Sequence, residues 1–420
     1  MVGAGEVGGG VYEILAQRQA EFTRMGADVV ISKICVRDSS KQRDFSLDLS
    51  KTQVVTDVND ILSDPSIDCV LELMGGVGKA KEVVLGAIAA GKHVVTANKA
   101  LVASCLTEIS DALAQKPQVR FAYEAAVCGG IPIINTLQQG LVSDEISEVM
   151  GIMNGTTNFM LSKMEGEGAA YSDVLAEAQA LGYAEADPTA DVEGFDVQAK
   201  IALITKLAFG VTVDPASIPT AGISKIDAVD FEYAKLMNAT VKLLGTARLS
   251  PSKESLSVYV SPVVVPQLHP VASARGATNV VSVASSNLGS SSYVGPGAGR
   301  FPTANSVVSD VLRVAMDTTT PPFPLQRTLP LEPDYSACFY VRITVKDQLG
   351  IIANIGAIAA KAGVSIFSVL QNPITDPAKV DFVVTTDQCK RSQVQAVADE
   401  VSAQLFTVSP PLVMPMVPAP

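Results

Sequence analysis

The first 135 residues alternate short apolar runs with amphipathic stretches. Residues 29–36, 69–74 and 93–95 read as strands, because apolar and β-branched residues run together and end in polar or glycine positions. Tyr12, Ile14 and Leu15 open a helical pattern, and residues 83–90 form another. Residues 121–134 add a further strand followed by a Gly-Gly-Ile-Pro turn. Strand–helix alternation of this kind predicts a parallel sheet with its ligand at the carboxyl ends of the strands.

The pattern then changes. Residues 149–161 pass from an apolar strand through the polar turn Met153-Asn154-Gly155-Thr156-Thr157-Asn158 into a helix, and residues 172–181 form an amphipathic helix. Asp187-Pro188 reads as a turn, and from about Val192 the spacing is helical through Phe209. Pro321, Pro322, Pro324, Pro330 and Pro333 mark a linker. Beyond it come a strand (339–345), a helix (349–362), two strands (364–370 and 380–385) and a helix (392–405). These are the first five elements of a βαββαβ order, which predicts a ferredoxin-like unit, with the proline-rich residues 409–420 as a disordered tail.

Composition narrows the partners. At 420 residues, with 48% hydrophobic and 18% charged residues, the chain has room for two or three domains with substantial cores. A net charge of −12 without a basic stripe argues against nucleic acid. The apolar runs are too interrupted to cross a membrane. Six scattered cysteines without a C-x-x-C point to a reducing compartment. His93 and His269 are too isolated for a zinc site. No targeting segment is visible, which points to the cytoplasm or, behind a truncated start, the plastid stroma.

Candidate chemistry begins at Gly3-Ala4-Gly5-Glu6-Val7-Gly8, a G-x-G-x-x-G ahead of a helical pattern. The first glycine permits the tight turn, the second lets backbone approach a pyrophosphate, and the third allows close helix–strand packing. Only Met1 and Val2 precede the motif, where the central strand of a doubly wound sheet belongs, so the start is expected to be truncated or misassigned. Arg37 and Lys41, after the second strand, favour the 2'-phosphate of NADP(H), while Asp38 keeps NAD(H) open. Gly75 and Gly76 allow backbone to run beside a dinucleotide. Lys99 falls at a strand's carboxyl end, where nicotinamide and substrate would meet. Cys128 has no histidine near it in sequence and reads as a small buried residue.

The stretch 181–200 gathers Glu185, Asp187, Asp191, Glu193 and Asp196 ahead of Lys200. Asp196 and Lys200 stand four apart, on one helix face. An isolated pair of this kind is most often a surface ion pair. Here the lysine borders Ile201, Ala202, Leu203 and Ile204, and a lysine held partly dry and aimed by a carboxylate can serve as a tuned acid or base.

Taken in order, G-x-G-x-x-G, ELMGG (72–76), TANKALV (96–102), YEAAVCGGIPII (123–134), MNGTTNF (153–159) and LGYAEADPTADVEGFDVQAK (181–200) resemble the homoserine dehydrogenase family. HPVASARGATN (269–279) and GPGAGRFPTANSVVSD (295–310) extend the resemblance, and DQLGII (347–352) resembles an ACT domain. The sequence departs from the family at Glu6, where a small or hydroxyl residue is usual, and in the missing first strand.

The resemblance implies reduction of L-aspartate 4-semialdehyde to L-homoserine with NADP(H) preferred and NAD(H) possible, in threonine, methionine and isoleucine biosynthesis. Lys200 would give the proton to the aldehyde oxygen, Asp196 would orient it and contact substrate, and Glu185 would bind the substrate ammonium. Lys99 would lie between cofactor and substrate, and Gly299 would line the cofactor pocket. A sodium ion is implied at Glu124, Val127, Gly129 and Ile131, through main-chain carbonyls. The implied organisation is a Rossmann-type domain over 1–135 and about 296–318, an α+β substrate and dimerisation domain over 136–295, a linker over 319–336, an ACT domain over 337–408 and a tail over 409–420. A homodimer or homotetramer and feedback control by threonine belong to the same expectation. Two other readings stay open: a non-catalytic amino-acid sensor with a dead nucleotide domain, and another semialdehyde oxidoreductase, which Cys128 without an activating partner disfavours.

Overall fold

Met1 and Val2 are buried in the middle of a parallel sheet. In the computed structural model, which describes residues 1–323 and 326–418, Val2 bridges Cys35 on one side and Glu72 on the other. The amide of Val2 donates to Leu71 O at 2.8 Å and that of Leu73 to Val2 O at 2.9 Å, while Cys35 N donates to Met1 O at 2.8 Å and Gly3 N to Cys35 O at 3.0 Å. The segment expected to be too short for the central strand therefore does that strand's bonding on both sides. Its neighbours give the order Gln53–Val55, Lys33–Cys35, residues 1–3, Cys69–Glu72, His93–Thr96, Phe121–Ala122, all parallel. In chain order this is 3-2-1-4-5-6, the doubly wound Rossmann arrangement.

Two units divide the chain, one gathering residues 1–149, 199–217 and 283–328, the other 150–198, 218–282 and 329–420. In the first, helix Glu6–Arg24 packs on helix Arg300–Ala315, with Val11 and Leu15 in one apolar cluster with Ala304, Val307, Val308 and Val311. Gly10 makes that approach possible, since a Cβ there would sit 2.9 Å from Ala304 Cβ. The strands are shorter than the apolar runs suggest. The run 29–36 yields only Lys33–Cys35, and the run from Phe121 leaves the sheet at a 3₁₀ turn, Glu124–Ala126.

The second unit is built on a mixed sheet. Ala239–Leu249 and Leu256–Pro266 pair antiparallel along their full length. Ile146–Ile152 lies beside Ala239–Leu249 and Thr278–Ser285 beyond it, in the order Thr278–Ser285, Ile146–Ile152, Ala239–Leu249, Leu256–Pro266. The C-terminal region runs strand Ser336–Val345, helix Ile351–Lys361, strands Ile366–Gln371 and Val380–Thr386, helix Arg391–Ser402, strand Thr407–Met416. Its sheet order is Thr407–Met416, Ser336–Val345, Val380–Thr386, Ile366–Gln371. Phe339, Val341, Ile343, Phe382 and Val384 face Ile355, Ile358, Val394 and Val401 of the two helices.

The proline-rich end is not a disordered tail. Thr407–Met416 pairs antiparallel with Ser336–Val345, and Met416 bridges Val264 in parallel. Pro410 and Pro411 fall in the register shift between the Ser409 and Leu412 pairs, while Pro415 stays in register opposite Phe339, whose amide donates to Thr386 Oγ1 instead. Ala419 and Pro420 of the expected tail lie outside the described residues, as do Pro324 and Leu325 of the expected linker. The rest of that linker is tied down. Tyr123 Oη donates to Pro322 O at 2.9 Å, Phe323 packs on the Tyr123 ring, and Tyr335 stacks on Tyr259 with centroids 3.8 Å apart. Among the described residues, no helix is long and apolar enough to cross a membrane.

Candidate active site

The turn at Gly3–Gly8 leads from the central strand into helix Glu6–Arg24. Gly3 adopts φ +101°, and a Cβ there would lie 2.5 Å from Leu73 O; one on Gly8 would lie 2.6 Å from Gly3 O. Gly5 differs, for nothing stands within 4 Å of where its Cβ would be. The helix carries no side-chain cap, so its first-turn N–H groups are available to an anion. Two packed glycines and one open one suit a pyrophosphate. Ala4 and Val7 lie half-buried within the turn, and Glu6 is exposed at the first helical position.

One strand over, Arg37 is exposed beyond Lys33–Cys35. Asp38 is engaged locally. One oxygen of its carboxylate accepts Ser40 Oγ at 2.6 Å and Ser40 N at 2.8 Å, and Ser40 holds its pKa below the ordinary value.

At the carboxyl end of the next two strands a buried carboxylate organises the loops. Glu72 accepts the Met74 amide at 2.9 Å and Thr96 Oγ1 at 2.6 Å. Thr96 Oγ1 accepts the Asn98 amide at 3.0 Å, and Asn98 Nδ2 donates to Gly76 O at 2.7 Å. Asn98 Oδ1 also caps the helix Lys99–Ser104 by accepting Leu101 N at 3.1 Å. One network thus fixes both the Gly75–Gly76 turn, where φ is +103° and +73°, and the start of the helix bearing Lys99, which is half-buried. Sequence reasoning passed over Glu72 and Asn98. A lone glutamate ending an apolar strand was the available signal, because a buried carboxylate needs partners.

Gly299 lies in the same unit, at φ +117° as the N-cap of Arg300–Ala315. The four residues expected to hold sodium lie on one irregular segment. Glu124 is buried, its two oxygens accepting Ile134 N and Asn135 N at 2.8 Å each, while its own amide donates to Asp310 Oδ2 at 2.8 Å. Burial pushes Glu124 up to about 7 and Asp310 up to about 6. Gly129, at φ +47°, passes so near Gly297 that a Cβ would lie 2.5 Å from its carbonyl oxygen, and Gly129 O accepts Ser306 Oγ at 2.7 Å. Each Glu124 oxygen, like each main-chain carbonyl of the segment, accepts with one lone pair and keeps another that could face a cation. A hard oxygen set beside two buried carboxylates fits a monovalent cation.

In the second unit, Asn154 caps helix Gly155–Glu167, its Oδ1 accepting Thr157 N at 2.9 Å. Its Nδ2 donates to Asp191 Oδ1 at 2.6 Å and to Asp196 Oδ2 at 3.0 Å. The amide thus couples Asp191 to Asp196. Gly194, at φ +84°, ends the short helix Thr189–Val192 and redirects the chain into helix Phe195–Phe209. Asp196 and Lys200 on that helix are each 7% exposed, which removes the surface ion-pair reading. Glu185 is exposed on a loop anchored nearby, where Thr156 Oγ1 donates to Tyr183 O at 2.6 Å. Its carboxylate accepts no hydrogen bond among the described residues.

Behind the Asn154 helix lies a fully buried cation. Lys242 Nζ donates to Ala274 O at 2.9 Å and Asn158 Oδ1 at 3.3 Å, and Asn158 Nδ2 donates to Gly276 O and Thr278 O. This clamp joins the MNGTTNF and HPVASARGATN motifs. Burial lowers Lys242 from 10.5 to about 8. Between these values the unfolded chain binds more protons, so this group's penalty is present in full below pH 8 and fades as pH rises toward 10.5. Urea unfolding should show wild type gaining roughly 3 kcal/mol on Lys242→Met across that window. Parallel pH curves would refute the assignment.

Comparison with known proteins places the chain among relatives. Residues 3–124 match the family model described as "Homoserine dehydrogenase, NAD binding domain", and residues 132–312 match "Homoserine dehydrogenase". The chain is 40% identical over 382 residues to homoserine dehydrogenase of Bacillus subtilis, covering 89% of this chain and 87% of the relative. It is 37% identical to that of Neisseria gonorrhoeae, covering 99% and 97%. A crystal structure of a homoserine dehydrogenase from Thiobacillus denitrificans superposes with TM-score 0.91 at 36% identity, covering 99% and 97%. That of S. aureus gives 0.79 at 29%, covering 100% and 98%.

Proposed function

The chain belongs to the homoserine dehydrogenase family, an oxidoreductase interconverting L-aspartate 4-semialdehyde and L-homoserine, and on that premise we propose which residues carry the chemistry. The observation that carries the reading is the burial of Asp196 and Lys200 on one helix, with Asp196 held by Asn154. A bound reduced nicotinamide supplies the hydride. Lys200 stabilises the charge developing on the aldehyde oxygen and delivers the proton there. Asp196 aims that lysine, while Asn154 fixes Asp196 and Asp191. Glu185 receives the substrate ammonium, which selects an amino acid over a plain aldehyde. Lys99 assists from the nucleotide side, on a helix start set by Glu72 and Asn98.

Gly3, Ala4, Gly5, Glu6, Val7 and Gly8 form the diphosphate turn, with Gly75 and Gly299 along the dinucleotide. NADP(H) is the preferred cofactor, because Arg37 is exposed beyond the second strand and Asp38 is turned onto Ser40. Main-chain carbonyls of Glu124, Val127, Gly129 and Ile131 hold sodium, which fixes the segment and takes no part in the hydride step.

The C-terminal region is an ACT-type regulatory domain responding to an amino acid, threonine foremost. The assembly is a homodimer or homotetramer, a reading supported by the open edge strand Ile366–Gln371, where Phe367 is 75% exposed. One experiment covers the cofactor, the ion and the assembly. Purified chain is assayed for homoserine oxidation with NADP+ and with NAD+, in sodium or choline chloride, with light scattering on the same sample. We expect turnover, at least tenfold higher kcat/KM with NADP+, and higher thermal stability in sodium. No turnover with either cofactor sinks the assignment of roles. A preference for NAD+, indifference to sodium, or a monomer removes the corresponding part.

A further inference from the structure

Residues 36–52 join strand Lys33–Cys35 to strand Gln53–Val55 without a helix or strand of their own. In a doubly wound sheet the loop after the second strand is where the adenosine ribose, and any phosphate on it, is held. Up to Asp48 the charges of this loop cancel, since Arg37, Lys41 and Arg43 are offset by Asp38, Asp44 and Asp48. Such a loop favours a phosphate only if its carboxylates are turned aside. Two are satisfied locally: Asp38 accepts Ser40 Oγ at 2.6 Å and Asp48 accepts Ser50 Oγ at 2.5 Å. Asp44 is held from far along the chain. Arg300 Nη1 donates to Asp44 Oδ2, and Arg300 Nη2 stands 3.2 Å from Glu13 Oε2 on helix Glu6–Arg24. The side chains of Arg37 and Lys41 make no hydrogen bond or salt bridge among the described residues, so both remain for a ligand.

The position of Arg300 separates its charge from the work of holding the loop. A Cβ on Gly9, the residue after the Gly3–Gly8 turn, would lie 2.8 Å from Arg300 Nη2 and 2.8 Å from Phe45 Cδ1. The guanidinium and the ring therefore lie side by side on the first turn of helix Glu6–Arg24. Phe45 is buried and its ring packs on Tyr12 with centroids 5.7 Å apart, while Tyr12 Oη accepts the Asp48 amide at 2.9 Å. These contacts dock the loop on the helix without help from Arg300. What the arginine adds is charge. Only 18% of its side chain is exposed, so its field is screened less than that of a free surface arginine.

We propose that Arg300 helps set cofactor specificity, acting through Asp44 and Glu13. By neutralising them it keeps two carboxylates from opposing a phosphate on the adenosine ribose, and so widens the margin between NADP(H) and NAD(H). The inference rests on the NADP(H) reading above and assigns part of that preference to a residue outside the loop itself.

The test titrates NADPH and NADH into the full chain by fluorescence, with homoserine oxidation followed on the same preparations. In Arg300→Gln we expect Kd for NADPH to rise about fivefold and Kd for NADH to stay within about twofold. The kcat with either cofactor should hold within about twofold, since no catalytic contact is touched. Asp44→Asn changes a side chain that is 56% exposed, so folding is not at risk, and NADPH affinity should hold or tighten. Combined, the two substitutions should bring NADPH back to within about twofold of wild type, because the opposing charge leaves with its counter-ion. NADPH and NADH weakened alike, NADPH weakened by Asp44→Asn, or a double variant as poor as Arg300→Gln would show that the arginine only shapes the loop, and overturns the proposal. Unchanged NADPH affinity in Arg300→Gln, with wild type preferring NADPH, overturns it and leaves the NADP(H) reading standing. A wild type that prefers NADH overturns both.

Discussion

Replacing Lys200 with alanine is expected to lower kcat about a thousandfold or more while NADPH affinity stays within about twofold of wild type. The two effects separate because the proposed role of Lys200 is confined to the aldehyde oxygen, whereas the proposed grip on the cofactor lies in the glycine turn and the loops around Glu72. Lys200 is 7% exposed, so the truncation also empties a small dry space and some thermal stability should be lost with it. Steady-state kinetics and NADPH fluorescence titration on one preparation read both quantities. Added methylamine should restore part of the lost rate, as expected of a missing amine and not of a damaged fold. Lost NADPH binding with an unchanged melting temperature would reassign the residue to the cofactor.

A second large effect is expected at Gly3. Alanine there would carry a Cβ at φ +101° and 2.5 Å from Leu73 O. The chain must either abandon that turn or push apart the two strands joined at Leu71–Leu73. A loss of about 3 kcal/mol or more is expected, and cofactor binding goes with it. Gly5→Ala is the contrast. Its Cβ would meet nothing within 4 Å, so the melting temperature should hold while affinity for NADP(H) falls about tenfold or more, the methyl occupying the pyrophosphate's approach. Thermal unfolding and NADPH titration of both variants decide the matter. A Gly3→Ala protein as stable as wild type would contradict the packing described, and undiminished binding by Gly5→Ala would move the pyrophosphate elsewhere.

Motifs that combine backbone need with a fixed order were legible in the sequence. G-x-G-x-x-G announced its turn because only glycine tolerates the close approaches at Gly3 and Gly8. The pair at Asp196 and Lys200 announced itself through helical spacing against an apolar neighbour. Three things were not legible, each for a physical reason. Met1–Gly3 reads as too short for a central strand because length alone cannot show pairing on both sides. Residues 409–420 read as a tail because proline usually stops a ladder, and the register shift that accommodates Pro410 and Pro411 exists only once the partner strand is in place. The hydrogen bonds of Asn154, Asp191 and Glu72 escape the sequence because they join residues distant along it. Asn154 and Asp191 lie 37 residues apart, and no local pattern encodes that bond.

The packing of helix Glu6–Arg24 on helix Arg300–Ala315 has a consequence for how the molecule comes into being. Synthesis is vectorial, so Val11 and Leu15 leave the ribosome long before Ala304, Val307 and Val311, which cover them. In the interval the nascent nucleotide-binding half offers an apolar stripe to its surroundings while residues 150–198 and 218–282 are still being made. Contacts of such high order make folding slow and leave the intermediate open to aggregation. A gene fragment encoding residues 1–149 would hold the chain in that state, so excising the cofactor module by cutting at one point would yield an insoluble product. Moving the helix Arg300–Ala315 to follow residue 149 by circular rearrangement would shorten the wait.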